Sequence, residues 1–450
     1  MPPNRPPALL CLALMLAWLS TAAAAPPAGV PALDHPPPTV TRTTAGQVDL
    51  CLGCHRQDPG GAHARDVLGC AACHLGDPLA GDKTRAHRGM VKNPGELRLG
   101  PRTCGQAGCH PNQLRWVENS LMATNRGIID ALRTYWGESA GPGAEDLTVH
   151  GLARSGLTSP ALDYFRKLCG SCHLWMEKGS LPDFLAAKGG GCTACHQEKP
   201  EPDTPRERAH TRITRDAPLE NCVRCHNRSG RIGLSYQGLM ESEGYGTPYE
   251  AGDLGTHQLE DGRYVRSMPD DVHHRKGLAC VDCHTQRETM GDGTRHVHFE
   301  EQLEVRCVTC HAGGEALRPL AEAYALRKRG LGPPSGVQVK RAPPRLDVVA
   351  KGTAFFLEGR RDRKLHPLDP PDPAACRGPL HRRLSCQACH STWVPQCYGC
   401  HVRADRSQAM LDKVAARETP GRWSEFRSFM RHESPPLGRK GDEVVILVPG

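Results

Sequence analysis

The chain has 450 residues, with 57 Lys and Arg against 49 Asp and Glu and a formal charge of +8. That is length for two or three ordinary domains, yet only 5% of the residues are aromatic, and 39 prolines and 48 glycines favour turns over long regular elements. A large conventional hydrophobic core is therefore excluded, and something other than side chains must fill the interior.

Residues 1–25 read as a secretory signal peptide: Arg5 in a short polar start, an apolar run over 8–19, then Thr21, Ala22, Ala23, Ala24 and Ala25, small residues suited to signal peptidase. The run is too short for a comfortable bilayer span, and no later stretch is apolar enough to make one. The expectation is an exported protein, periplasmic or extracellular, with no membrane span of its own. Cys11 leaves with the signal. Export puts the remaining cysteines where thiols usually pair, so a disulfide framework is the first reading to test.

The spacing rejects it. In chain order the cysteines run Cys51, Cys54, His55; Cys70, Cys73, His74; Cys104, Cys109, His110; Cys169, Cys172, His173; and Cys192, Cys195, His196. They continue as Cys222, Cys225, His226; Cys280, Cys283, His284; Cys307, Cys310, His311; Cys386, Cys389, His390; and Cys397, Cys400, His401. Nine of the ten pairs enclose two residues and one, Cys104 to Cys109, encloses four. Every second cysteine is followed by histidine. Disulfides require no such neighbour, and a structural zinc site accepts histidine at several offsets. Covalent haem attachment requires this order: two thiols bond the two vinyl groups, and the adjacent imidazole comes to lie under the iron. The closely spaced last two motifs imply neighbouring porphyrins packed on each other and on Trp393, with Pro395 stiffening the link.

Three motifs fall in residues 51–110, five in 169–311 and two in 386–401. In the first gap Leu114, Val117, Leu121, Ile128, Leu132 and Trp136 recur with helical spacing, which predicts one amphipathic helix with Gly127 as a weak point. The second gap is proline-rich and carries an apolar run over 348–356, which predicts a wrapping arm with one small hairpin. The apolar end at 444–448 predicts a final strand. The division expected is a signal peptide over 1–25, a three-haem segment over 26–111, a helix plus five-haem segment over 112–312, an arm over 313–385, and a two-haem segment with tail over 386–450.

These motifs make the chain resemble an exported bacterial multihaem c-type cytochrome, here decahaem, over residues 51–401. That group spans relays and outer-membrane conduits as well as hydroxylamine oxidoreductases, nitrite reductases and octahaem tetrathionate reductases. The resemblance implies a mainly α fold with extensive irregular loops and little β, built around about ten stacked, covalently held haem c groups. It implies electron transfer between redox partners, a donor and an acceptor, in association with a membrane quinone oxidoreductase or an outer-membrane conduit. The other reading is an oxidoreductase acting on a nitrogen or sulfur compound at one open haem. No CxxCK occurs, whereas nitrite reductases of the group commonly carry lysine at the active haem. No tyrosine is marked for the cross-link of hydroxylamine oxidoreductases. The residues favour the carrier, and no catalytic residue is assigned.

Relay haems need a second axial ligand. Of 23 histidines, ten sit in motifs, leaving thirteen. The distal candidates are His63, His87, His150, His210, His257, His273, His274, His298, His381 and His432. His63 precedes Cys70, and His273 and His274 precede Cys280, closely enough to sit beside that motif's haem or to cap a neighbour's. His35 reads as solvated; His296 and His366 complete the count. Ten haems with ionised propionates shift the formal charge to roughly −3 oxidised and −13 reduced, so many Arg and Lys are expected to face propionates, and nucleic acid is not an expected partner. The segment 227–249 gathers Arg228, Arg231, Tyr236, Glu241, Glu243, Tyr245 and Tyr249 among glycines, either an oxyanion-binding loop over an open haem or a lid packed on haem edges. Cys376 stands outside every motif.

Overall fold

The computed structural model describes residues 41–447 except 183–184, 186–187, 228–231, 245–247, 260–261, 333–342, 371–375 and 377. Residues 1–25, read above as a signal peptide, and His35 lie outside the described residues, as do Arg228, Arg231 and Tyr245. The same holds for the side chains of Cys397 and Cys400.

The fold is mixed rather than mainly helical: 33% helix and 16% strand, in small antiparallel sheets joined by many loops. The expectation of little β underrates the last third of the chain, where two long strands, Gln396–Asp412 and Arg417–Arg431, pair as one hairpin. This hairpin is pinned from outside. Lys167, fully buried, donates from Nζ to Gly421 O at 2.6 Å and pairs with Asp163 at 2.8 Å. Trp423 Nε1 donates to Asp163 at 2.7 Å, and Arg166 reaches Asp412 at 3.2 Å.

The helix expected across the first gap is three: Pro111–Asn119, Leu121–Thr124 and Arg126–Tyr135. Ser120 is extended and caps the second through its Oγ on Ala123 N, and Asn125, with φ 51°, ends it. Periodicity cannot see such caps. Gly127 is a close approach rather than a weak point, since a Cβ there would lie 2.6 Å from Val297 O.

The arm is better built than expected. A helix, Gly314–Lys328, covers a three-stranded antiparallel sheet of Val348–Lys351, Ala354–Glu358 and Leu365–Pro367. Between them lie Leu317, Leu320, Ala321, Leu346, Val348, Phe355 and Leu357, with Leu278 from the motif-bearing part. This is the largest of four separate buried apolar clusters among the described residues, and it belongs mostly to a stretch without motifs. Around the motifs the protein supplies only small patches of core. The expected final strand is Glu443–Ile446, paired with Leu437–Lys440 and bonded to the chain just before Cys386 through Ser385 N to Val444 O at 2.8 Å. Among the described residues no helix is long and apolar enough to cross a membrane.

Candidate functional site

A cysteine and a histidine four residues later are one helical turn apart, and the backbone uses that turn. The histidine amide donates to the first cysteine's carbonyl in Cys51/His55 at 2.9 Å, Cys70/His74 at 2.9 Å, Cys222/His226 at 3.0 Å, Cys280/His284 at 2.8 Å and Cys386/His390 at 3.0 Å. Cys192–His196 and Cys307–His311 are helical turns as well. Cys169 ends a π-helical turn, Phe165–Cys169, directly before His173. The wide motif closes the same bond, His110 N to Cys104 O at 2.9 Å, with the two extra residues taken into the loop. His401 departs from this pattern, since it lies on the strand Gln396–Asp412.

The structure brings four motif histidines against histidines from outside the motifs. Ring centroids are 5.9 Å apart for His55 and His87, 6.2 Å for His110 and His63, 6.0 Å for His74 and His210, and 6.3 Å for His311 and His273. Two imidazoles on opposite sides of one metal, with bonds of about 2 Å, place their centroids about 6 Å apart. His63 thus faces His110 and His273 faces His311, in each case not the motif that follows it directly.

The hydrogen bonds of the rings point the same way. Nδ1 donates to a backbone carbonyl in His74 (Val91, 2.7 Å), His87 (Lys83, 2.7 Å), His196 (Thr214, 2.7 Å), His210 (Thr211, 2.6 Å) and His311 (Asp369, 2.8 Å). It donates to a carboxylate in His273 (Asp271, 2.9 Å), His274 (Asp270, 2.9 Å) and His284 (Glu288, 2.8 Å). A proton held on Nδ1 leaves the Nε2 lone pair for a metal, the usual second-shell arrangement of ligating histidine. A second class uses Nε2 itself: His296 on Asp292 at 3.2 Å, His366 on Asp362 at 3.0 Å and His432 on Ser242 O at 3.3 Å, with His298 Nε2 lying 3.8 Å from Asp130. His257 is exposed on the strand His257–Gln258 and His381 is exposed before Cys386.

His173 is 7% exposed and its Nε2 is buried without a hydrogen-bond partner. Burial pushes its pKa down to about 4, against the Gly170 backbone and with His150 adding. His150, whose own pKa is lowered by burial and Arg154, stacks on Trp175 at 4.0 Å. Burial likewise lowers His63, with His110 and His196 adding, and His196. A neutral ring is the form that binds metal. For His284 and His273 the carboxylates behind the rings raise the pKa instead. Burial alone would raise Glu288, but the His284 bond and the Val305 and Glu304 amides hold it below the ordinary carboxylate range.

Thiols of different motifs act on one another. The Cys104 and Cys192 thiols interact and shift each other in opposite directions, Cys104 down and Cys192 up, and Cys280 and Cys222 do the same. Cys225 bonds Cys172, and Cys307 interacts with Cys386. Cys51 feels Cys70, Cys73 feels Cys104, Cys195 lies by Cys222, and Cys283 lies by Cys310. The motifs therefore follow one another through space, with the Cys169 motif joining at the Cys222 motif. No disulfide joins the described cysteines, the exposed Cys376 included. Among the described residues no group of three or more His, Cys, Asp or Glu is placed to hold a metal ion by itself.

Among the described residues of 227–249, Tyr236, Glu241 and Tyr249 contact the rest of the fold. Tyr236 donates to Leu278 O at 2.7 Å and its ring packs on His274 and Trp393. Glu241 pairs with Arg263, and Arg266 lies over the Tyr249 ring at 4.3 Å. Trp393 Nε1 is buried without a partner. Missing from the sequence reading are the anchors Glu288, Asp271 and Asp270. Their signal is local: a glutamate one turn after His284, and two aspartates just before His273 and His274.

No protein-family model, no curated protein and no solved structure matches the chain.

Proposed function

We propose that the chain is an exported multihaem c-type cytochrome that passes electrons between redox partners in the periplasm or outside the cell. The observation that carries this is the set of four imidazole pairs at 5.9–6.3 Å, each joining a motif histidine to one from elsewhere. Zinc ribbons and disulfide frameworks have no use for such pairs. When bound, each haem supplies a one-electron iron couple.

The chain's own residues do the rest. Motif thiols tether the macrocycle, and the following imidazole ligates from one side. His87, His210, His63 and His273 would serve as the second ligands at the motifs of His55, His74, His110 and His311. Two strong-field imidazoles leave no open position there, which suits a relay and opposes substrate binding. Thiol-to-thiol neighbours from Cys51 to Cys386 keep each site adjacent to the next. Partners are an electron donor and an acceptor; a membrane quinone oxidoreductase or an outer-membrane conduit fits the compartment. Of the donors the oxidoreductase reading would use, Tyr236 is committed to Leu278, and Arg228, Arg231 and Tyr245 lie outside the described residues.

The test is production in a host that ligates haem to exported chains, followed by intact mass and electron paramagnetic resonance of the oxidised protein. Ten haems with mainly low-spin iron indifferent to cyanide support the relay. A colourless chain at polypeptide mass overturns it, and a stoichiometric high-spin centre that binds nitrite or cyanide favours the enzyme.

A further inference from the structure

The anchors of the imidazoles are not alike. His74 and His210, which face each other, both lean on backbone carbonyls, as do His87 and His196. His284 leans on Glu288, 8% exposed, whose other oxygen accepts the amides of Glu304 at 2.7 Å and Val305 at 2.8 Å. His273 leans on Asp271, 5% exposed, which also accepts the His273 amide at 2.8 Å. Both carboxylates are buried, and each is fixed by backbone donors as well as by the ring. The third, Asp270, is more exposed and shared with Arg275 at 3.4 Å. The two buried ones serve motifs that act on each other, since the Cys283 thiol feels that of Cys310.

A hydrogen bond to a carboxylate is roughly twice as strong as one to a neutral acceptor, and burial strengthens it further. It loads negative charge onto the ring and makes the other nitrogen a better donor. We infer that Glu288 and Asp271 are positioning residues that hold the irons of the His284 and His311 motifs at lower potential than those whose ligands lean on carbonyls. Reduction adds one electron to iron, supplied by the donor partner, and a fixed anion behind the ring opposes it. The inference rests on the haem reading above.

The experiment uses the full haem-loaded chain with Glu288→Gln and Asp271→Asn, and Glu304→Gln as control. Glu304 bonds Thr285 and Arg287 rather than an imidazole, so its loss removes nearby charge without touching a ligand. Haem count by mass, a spectroelectrochemical titration and the resonance spectrum are recorded for each. In each carboxamide variant one couple is expected to rise so that its reduced-to-oxidised ratio at fixed potential grows tenfold, about 59 mV for one electron. One low-spin ferric signal should move with it, and Glu288→Asp should restore much of both. Equal shifts in Glu288→Gln and Glu304→Gln, or no moved couple in either carboxamide variant, overturn the inference while a ten-haem wild type leaves the parent reading standing. If Glu288→Gln does not fold, Asp271→Asn decides. A haem-free wild type overturns both.

Discussion

His110 donates its amide to the carbonyl of Cys104 at 2.9 Å, the bond that Cys51/His55, Cys70/His74, Cys222/His226, Cys280/His284 and Cys386/His390 also make between histidine and first cysteine. Two extra residues therefore leave the ends of the wide motif in their ordinary relation. Replacing Cys104 and Cys109 together by alanine should lower the haem count by one, read by intact mass. An unchanged mass would mean that the wide loop carries no haem.

His87 faces His55 with its Nδ1 held by Lys83 O, whereas His366 spends Nε2 on Asp362. His87→Ala should keep all ten haems but convert one low-spin ferric centre to high-spin, able to bind cyanide. His366→Ala should produce no such centre. Resonance spectra of the two variants side by side check the contrast.

Leu317 is 1% exposed at the centre of the cluster between the helix Gly314–Lys328 and its sheet. Leu317→Ala should destabilise that unit by about 2–5 kcal/mol. The change should appear as faster proteolysis and hydrogen exchange within 314–367, with haem count and potentials unaltered.

The same unit carries a pH signature. Lys328 and Tyr324 hydrogen bonds hold the Glu358 carboxyl below its ordinary value of 4.5, against a smaller effect of burial. A depressed folded pKa contributes stability that is fully present above 4.5 and fades as the pH falls through the folded value. Glu358→Gln should therefore lower the unfolding midpoint at neutral pH and converge on wild type once the pH falls below the folded value. Midpoints measured across pH 3–7 check this, and a constant difference would contradict it.

The attachment motifs are legible because a covalent bond to a fixed ring demands fixed spacing. The partners across the ring are not legible, because nothing local marks His210 as facing His74; only the fold brings them together. Caps such as Ser120 and Asn125 broke the first-gap helix at places where the apolar period continues. The Val348–Phe356 run gave its hairpin through local chemistry, but the helix above it needed the tertiary cluster. The strand content of 396–431 was hidden by a composition rich in charge, since that hairpin is fixed by Lys167 and Trp423 rather than by alternating apolar residues.

The pairing of His74 with His210 has a practical corollary for anyone dissecting the chain. Fragments divided after residue 111 would leave one half of a two-sided grip in each tube, with an exposed vacancy on both. Minimal units should instead be drawn around the laced set 51–110 plus the stretch through His210, which travels as a single piece.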